Sequence, residues 1–352
     1  PSPEPPNRVP RMHNVVPNAR AYIATLKARL VRLGGTIHCN ARVRELILEE
    51  GRVAGVEAEV DGRRVRFRAA RGVVLATGDY ANSPEIISEH KGPEFSKIEG
   101  IDETATGDGH RLAQGAGAKL VNMDVTYGPE IRFVPPERNL MRILPTKGPL
   151  AKVMGRLAPL VPKFVVGAMI KRLVVTWQHP ENALLDDGAI LVNARGERFT
   201  NEKLGPAREI AIAAQPEKIC YFVLDERLVR RYSAWPHFIS TAPKIAYAYV
   251  ADYLRLRPDV AVSAGSLAAL GRRRGLPQDA LAAAVEQFNR YAGGAAPDPW
   301  GRTADAQPLM GDRWVLLGPA KAYFTTTEGG AAVNEKMQVL DESAQPIEGL
   351  YA

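Results

Sequence analysis

The run Gly72-Val73-Val74-Leu75-Ala76 goes straight into Thr77-Gly78 without a polar side chain before Thr77. A strand with no polar face has to be covered on both sides, and parallel sheets flanked by helices meet that condition. The run therefore predicts a buried strand in an α/β domain. Its surroundings agree. Tyr22, Ile23, Leu26, Leu30 and Leu33 recur at helical spacing and stop at Gly34-Gly35, a helix with a glycine end. Short apolar runs follow at Thr36 to Cys39 and Val43 to Leu48. Val56/Ala58/Val60 and Val65/Phe67/Ala69 alternate on either side of Asp61-Gly62, a hairpin signal because both turn residues need positive φ. From Thr106-Gly107-Asp108-Gly109 a helix is expected with Leu112, Ala113 and Ala116 inward, then a strand at Leu120 and Val121.

Between Thr126 and Leu317 the pattern changes to longer loops, helices and clustered basic residues, which marks an inserted domain. Its landmarks are the basic amphipathic stretch Leu150 to Lys171, strands at Ala189 to Asn193 and Tyr221 to Leu224, and a helix from Asp279 to Tyr291. Strands return from Ala332 to Leu350. The expected division is 1–125 for the first part of one domain, 126–317 for the insertion and 318–352 for the return. A chain of 352 residues, 45% hydrophobic and 24% charged, has the length and balance for two packed domains. The net charge of +7 favours an anionic substrate, an anionic cofactor or a membrane surface, and no basic motif points to nucleic acid.

Two distant cysteines, Cys39 and Cys220, give no disulfide framework and no zinc or iron–sulfur spacing. No metal is expected, and a reducing, cytoplasmic location fits. No stretch reaches the roughly eighteen uninterrupted apolar residues of a membrane span. The proline-rich lead-in (Pro1, Pro3, Pro5, Pro6, Pro10, Pro17) has no initiator Met, and Gly349-Leu350-Tyr351-Ala352 ends the chain directly after a strand-like run. The chain is expected to be an incomplete piece of a longer protein.

Several short strings occur in order: Ala76-Thr77-Gly78, Thr106-Gly107-Asp108-Gly109-His110, Gly196-Glu197-Arg198-Phe199-Thr200-Asn201-Glu202, Glu328-Gly329-Gly330, and Gln338-Val339-Leu340-Asp341 followed by Pro346 to Ala352. Over nearly the whole chain this resembles the FAD-dependent family of the fumarate reductase and succinate dehydrogenase flavoprotein subunits and the 3-ketosteroid dehydrogenases. The resemblance implies an α/β fold: a discontinuous, Rossmann-like FAD-binding domain with an inserted α+β capping domain, substrate lying between them at the flavin. The sequence departs from the family at both ends. No G-x-G-x-x-G loop precedes Ala19, and the glycine-rich segment after Gly-Leu-Tyr-Ala is absent, so weak or absent FAD binding is expected of this piece alone.

The resemblance implies cofactor contacts from Val43, Ala76, Thr77, Gly78, Thr106, Gly107 and Asp108. Thr106 and Asp108 also suit a helix N-cap, and the two roles are compatible. It implies that His179, in Trp177-Gln178-His179-Pro180, holds a substrate carboxylate or carbonyl. Burial against a backbone carbonyl is the other reading of that histidine. The family's proton-delivering arginine has its usual place at Pro206 here, and Arg208 stands two residues beyond; a surface arginine is the alternative. Where fumarate reductases carry a second histidine before Gly-Gly, this chain has Thr326, and threonine cannot clamp a second carboxylate as a cation. Tyr323 is either a proton-transferring hydroxyl of the ketosteroid type or a packing aromatic. Thr326, Thr327, Glu328, Gly329 and Gly330 are the expected substrate-binding residues, the two glycines through backbone N–H groups. Arg198 and Glu202 are expected to pair structurally.

Leu150 to Lys171 is either a lid over an apolar substrate, a surface resting on a membrane, or a helix packed on its own domain with a solvated basic face. The expected function is an FAD-dependent oxidoreductase moving hydride across a C–C bond next to a carbonyl or carboxylate. Its expected partners are a small-molecule substrate with a carbonyl or carboxylate, an apolar or steroid-like one being one option, and an unidentified electron donor or acceptor. The alternative is a scaffold or binding fragment that no longer holds FAD.

Overall fold

A computed structural model describes residues 15, 18–136, 144–242, 245–302 and 307–352. The proline lead-in of the sequence reading lies outside them. The chain forms two compact units, one of residues 37–130 and 322–352, the other of residues 1–36 and 131–321. Pairing explains why the boundaries differ from those read in the sequence. Thr126–Tyr127 pairs with Thr326–Thr327 and stays with the first unit. Cys220–Leu224 pairs with the strand Trp314–Phe324 as far as Ala320 and keeps that stretch with the second. The helix Ala19–Arg32 also groups with the inserted unit.

In the first unit, Ala41–Glu49, Arg52–Val60 and Arg63–Arg68 form an antiparallel sheet. Asp61 and Gly62 take φ of 48° and 75°, the doubly positive turn that the Asp-Gly signal predicts. Val53, Ala113, Ala118, Val339 and Leu350 form a buried cluster that joins this sheet to the helix Asp108–Gly115 and the C-terminal strands. One expectation needs correction. The Gly72–Ala76 strand shrinks to Val73–Val74, paired in parallel with Leu350 and Tyr351 at the edge of a three-stranded sheet. Val74 is 68% exposed, so its apolar run does not mark a strand covered on both faces.

The inserted unit is built on antiparallel strands in the order Ala261–Ala264, Trp314–Phe324, Cys220–Leu224, Ile190–Val192. The helix Gln278–Ala292 buries Leu281, Ala284, Val285 and Phe288. Above the Phe288 ring lie the guanidinium groups of Arg198 and Arg302, at 5.1 and 5.2 Å. Both close on Glu202. Arg198 donates twice at 2.9 Å and Arg302 once at 2.9 Å. Arg198 also grips Asp298 at 2.9 and 3.1 Å. The Leu191 N–H adds a bond to Glu202 from the strand Ile190–Val192. Arg198, Glu202 and Asp298 have wholly inaccessible side chains, and two cations offset two anions. Burial acts to lower the pKa of Arg198, but the bonds and charges of Glu202 and Asp298 prevail and raise it.

Removing one member of such a cluster strands the others without water. Glu202→Ala should therefore cost about 3–5 kcal/mol in urea denaturation. A loss below about 1 kcal/mol, the range of exposed pairs, would show that the cluster is not the anchor of this unit.

Candidate functional site

Within the first unit, a surface pocket of about 480 Å³ brings Val43, Thr106 and Asp108 together with Arg42, Arg44 and Arg111. The strand Ala41–Glu49 supplies Arg42, Val43 and Arg44. The start of the helix Asp108–Gly115 supplies the opposite wall. Asp108 is not the cap of that helix, as the sequence reading allowed. Gly107 takes the cap position at φ 71°, and no side chain caps there. The Asp108 carboxylate faces Arg42 at 3.1 and 3.3 Å and Arg111 at 3.6 Å, and it accepts from Thr106 Oγ1 at 3.2 Å. Partial burial works against ionisation, yet Arg42, Thr106 and Arg111 together hold Asp108 below the usual carboxylate range.

Ala76, Thr77 and Gly78 are exposed and are not among the residues lining this pocket. Thr77 lies against Gly109, so closely that a Cβ on Gly109 would overlap the Thr77 hydroxyl.

The C-terminal strings sit on a different framework. Thr327 is buried and its hydroxyl accepts from the Tyr80 N–H at 3.1 Å. The Tyr80 hydroxyl donates to the Met123 carbonyl at 2.7 Å. Gly329 packs directly against that hydroxyl. A Cβ on Gly329 would lie 2.5 Å from the Tyr80 hydroxyl oxygen and 2.7 Å from Met123 Cα, so only glycine fits. The Gly329 carbonyl meets His110 Nε2 at 3.1 Å. Gly330 pairs with Val121, and Thr326 bonds Glu328 at 3.3 Å. Tyr323, paired with Glu99, has its hydroxyl pushed up to about 12 by burial and by the charges of Glu99 and Glu103. A proton-abstracting tyrosine is helped by the opposite shift.

In the inserted unit, the sequence reading is sharpened at Arg208. It is buried rather than on the surface, in the helix Ala207–Ala213. Nη1 donates to the Glu202 carbonyl at 2.8 Å, Nη2 to Asn182 Oδ1 at 3.0 Å and to Glu209 Oε1 at 2.5 Å, and Nε to Glu209 Oε1 at 2.9 Å. Asn182 follows His179 by three residues, so the His179 segment and Arg208 are brought to one place. The His179 carbonyl is held by the Ser240 hydroxyl at 2.8 Å, which is itself bonded to Tyr253. Neither Asn182 nor Glu209 was singled out in the sequence. Their only signal was proximity to His179 and to Arg208.

The FAD binding domain family matches residues 5–150 and 158–352. The chain belongs to that family. It is 24% identical over 349 residues to a probable fumarate reductase of Shewanella frigidimarina, covering 98% of this chain and 49% of the relative. It is 25% identical to the 3-oxosteroid 1-dehydrogenase of Mycobacterium tuberculosis, covering 96% and 57%. Among solved structures, the open conformation of a flavocytochrome c3 fumarate reductase matches with TM-score 0.62 at 21% identity, over 98% of this chain and 52% of that one. The mixed α/β fold is therefore that of the FAD-binding flavoproteins. The chain spans about half the length of these relatives.

Family membership implies FAD as the cofactor, and the pocket of the first unit fits part of it. Arg42, Arg44 and Arg111, each about half exposed, suit an anionic nucleotide, while ionised Asp108 offers an acceptor for hydroxyl groups. Among the described residues no group of three or more His, Cys, Asp or Glu is placed to hold a metal. Gly329→Ala should destabilise the protein by about 1–3 kcal/mol in urea denaturation, and Tyr80→Phe should not rescue it, because the backbone of Met123 remains in the way. Wild-type stability in Gly329→Ala would contradict the close packing.

Proposed function

We propose that this chain is the nucleotide-holding and substrate-handling part of an FAD-dependent oxidoreductase acting on a C–C bond next to a carbonyl or carboxylate. The supporting observation is the buried Arg208, fixed by three acceptors beside the His179 segment. FAD, when bound, supplies two-electron hydride chemistry; Val43, Thr106, Asp108 and the pocket arginines would hold it.

The chain's own residues handle the oxygen and the proton. His179 orients the activating carbonyl or carboxylate, and its donated hydrogen bond stabilises the negative charge that builds on that oxygen during reduction. Arg208 delivers a proton from its guanidinium to the substrate carbon and takes a replacement from solvent after turnover. The Glu209 carboxylate holds that guanidinium in place through Oε1. Thr326 in place of a second cation favours a substrate with one anchoring oxygen over a dicarboxylate. Tyr323, with its hydroxyl held protonated, keeps a packing role in this reading.

The test is Arg208→Gln in the full-length protein, assayed with a conjugated ketone and with fumarate. The expected result is a fall in turnover of about a hundredfold or more, with flavin absorbance and KM for the ketone retained. Unchanged turnover would remove Arg208 from the proton path. Faster turnover of fumarate than of the ketone in the wild type would overturn the single-oxygen preference.

A further inference from the structure

The helix Gly148–Leu157 in the inserted unit is amphipathic, yet none of its residues is buried. Leu150, Val153 and Leu157 recur three and four residues apart and form one stripe, and they are 60%, 47% and 53% exposed. A helix packed on its own domain would turn that stripe inward. Here it faces out, with Lys152 and Arg156 on the other side by the same spacing. The short turn Ala158–Leu160 continues the apolar surface with Leu160, 75% exposed.

The following helix, Lys163–Trp177, exposes Val166 and Met169 in its first half and buries Val174 and Val175 in its second. That second half is fastened. Arg257 donates to the Val175 carbonyl at 2.8 Å, and Lys171 pairs with Asp252 at 3.0 Å. The strand Ala246–Ala248 packs on the same helix. Its Tyr247 carries the exposed Trp235 edge-on at 4.9 Å, with Phe238 beside both.

Charge decides the occupant. Between Glu137 and Glu181 the sequence holds eight Lys or Arg and no Asp or Glu. Exposed leucines and valines, an exposed tryptophan and a run of cations uninterrupted in sequence by any acidic residue match an anionic bilayer. Its headgroups take the charges, and the boundary with its acyl chains takes the apolar stripe and the indole. No helix among the described residues is long and apolar enough to cross a membrane, so the fit is to a surface rather than a span. We propose that the segment Lys147–Trp177 docks the protein on an anionic lipid surface, with Leu150, Val153, Leu157 and Leu160 entering the headgroup layer.

The test is co-sedimentation of the full-length protein with vesicles of phosphatidylcholine alone or mixed with phosphatidylglycerol, at low and high salt. Pelleting is expected only with the mixed vesicles, and high salt should weaken it. Leu150→Glu/Leu157→Glu and, separately, Lys152→Glu/Arg156→Glu should each lower the partition by about tenfold or more, with circular dichroism unchanged. The charge-reversal pair leaves the apolar stripe intact, so it remains informative if the leucine pair misfolds. No pelleting with mixed vesicles, or pelleting undiminished in the charge-reversal variant, would overturn the proposal. So would a wild-type dimer that Leu150→Glu/Leu157→Glu converts to monomer in light scattering, since the stripe would then belong to a second copy of the chain.

Discussion

Glu202 is surrounded by two guanidinium groups and a strand amide where no water reaches. Such a carboxylate cannot move without leaving charges unpaired, so its backbone is fixed as firmly as its side chain. Its carbonyl is the acceptor for Arg208 Nη1. The rigidity of the Arg-Phe-Thr-Asn-Glu string thereby passes to the arginine that the proposed chemistry uses. Asn182 ties the same guanidinium to the His179 segment. Stability and the proposed chemistry would share one set of bonds in the inserted unit, as a positioned proton donor requires.

The first unit uses a different device. There the fixed points are close backbone approaches, Gly329 on Tyr80 and Met123 and Gly109 on Thr77. The glycines of these strings make room for protein against protein. The pocket is formed beside them, where a strand carrying Arg42 and Arg44 meets the start of a helix carrying Asp108 and Arg111. Asp108 is held ionised by its arginines, so the pocket presents cationic groups and an acceptor together.

Much of this was legible in the sequence wherever the cause was local. Asp61-Gly62 dictated its turn, the spacing around Ala283, Val285 and Phe288 gave a helix close to Gln278–Ala292, and the Arg198–Glu202 pair is four residues apart. The misses have long-range causes. Asp298 and Arg302 join Glu202 and Arg198 across about a hundred residues, which periodicity cannot register. Gly72–Ala76 was read as a covered strand because every side chain is apolar, but burial depends on what lies alongside, and Val74 is at an edge. The Thr106–Asp108 string looked like a cap because Asp caps helices; Arg42, distant in sequence, takes the carboxylate instead. The basic stretch was left open among three roles, since only the structure tells which way its leucines face.

The central proposal is that the pocket between Val43 and Asp108 receives part of FAD. Hydrogen exchange measured by mass spectrometry on the full-length protein, apo and loaded with FAD, tests it most directly. Added protection is expected in the peptides spanning 41–44 and 106–112. Identical exchange there in both states, with protection confined to other segments, would contradict the claim.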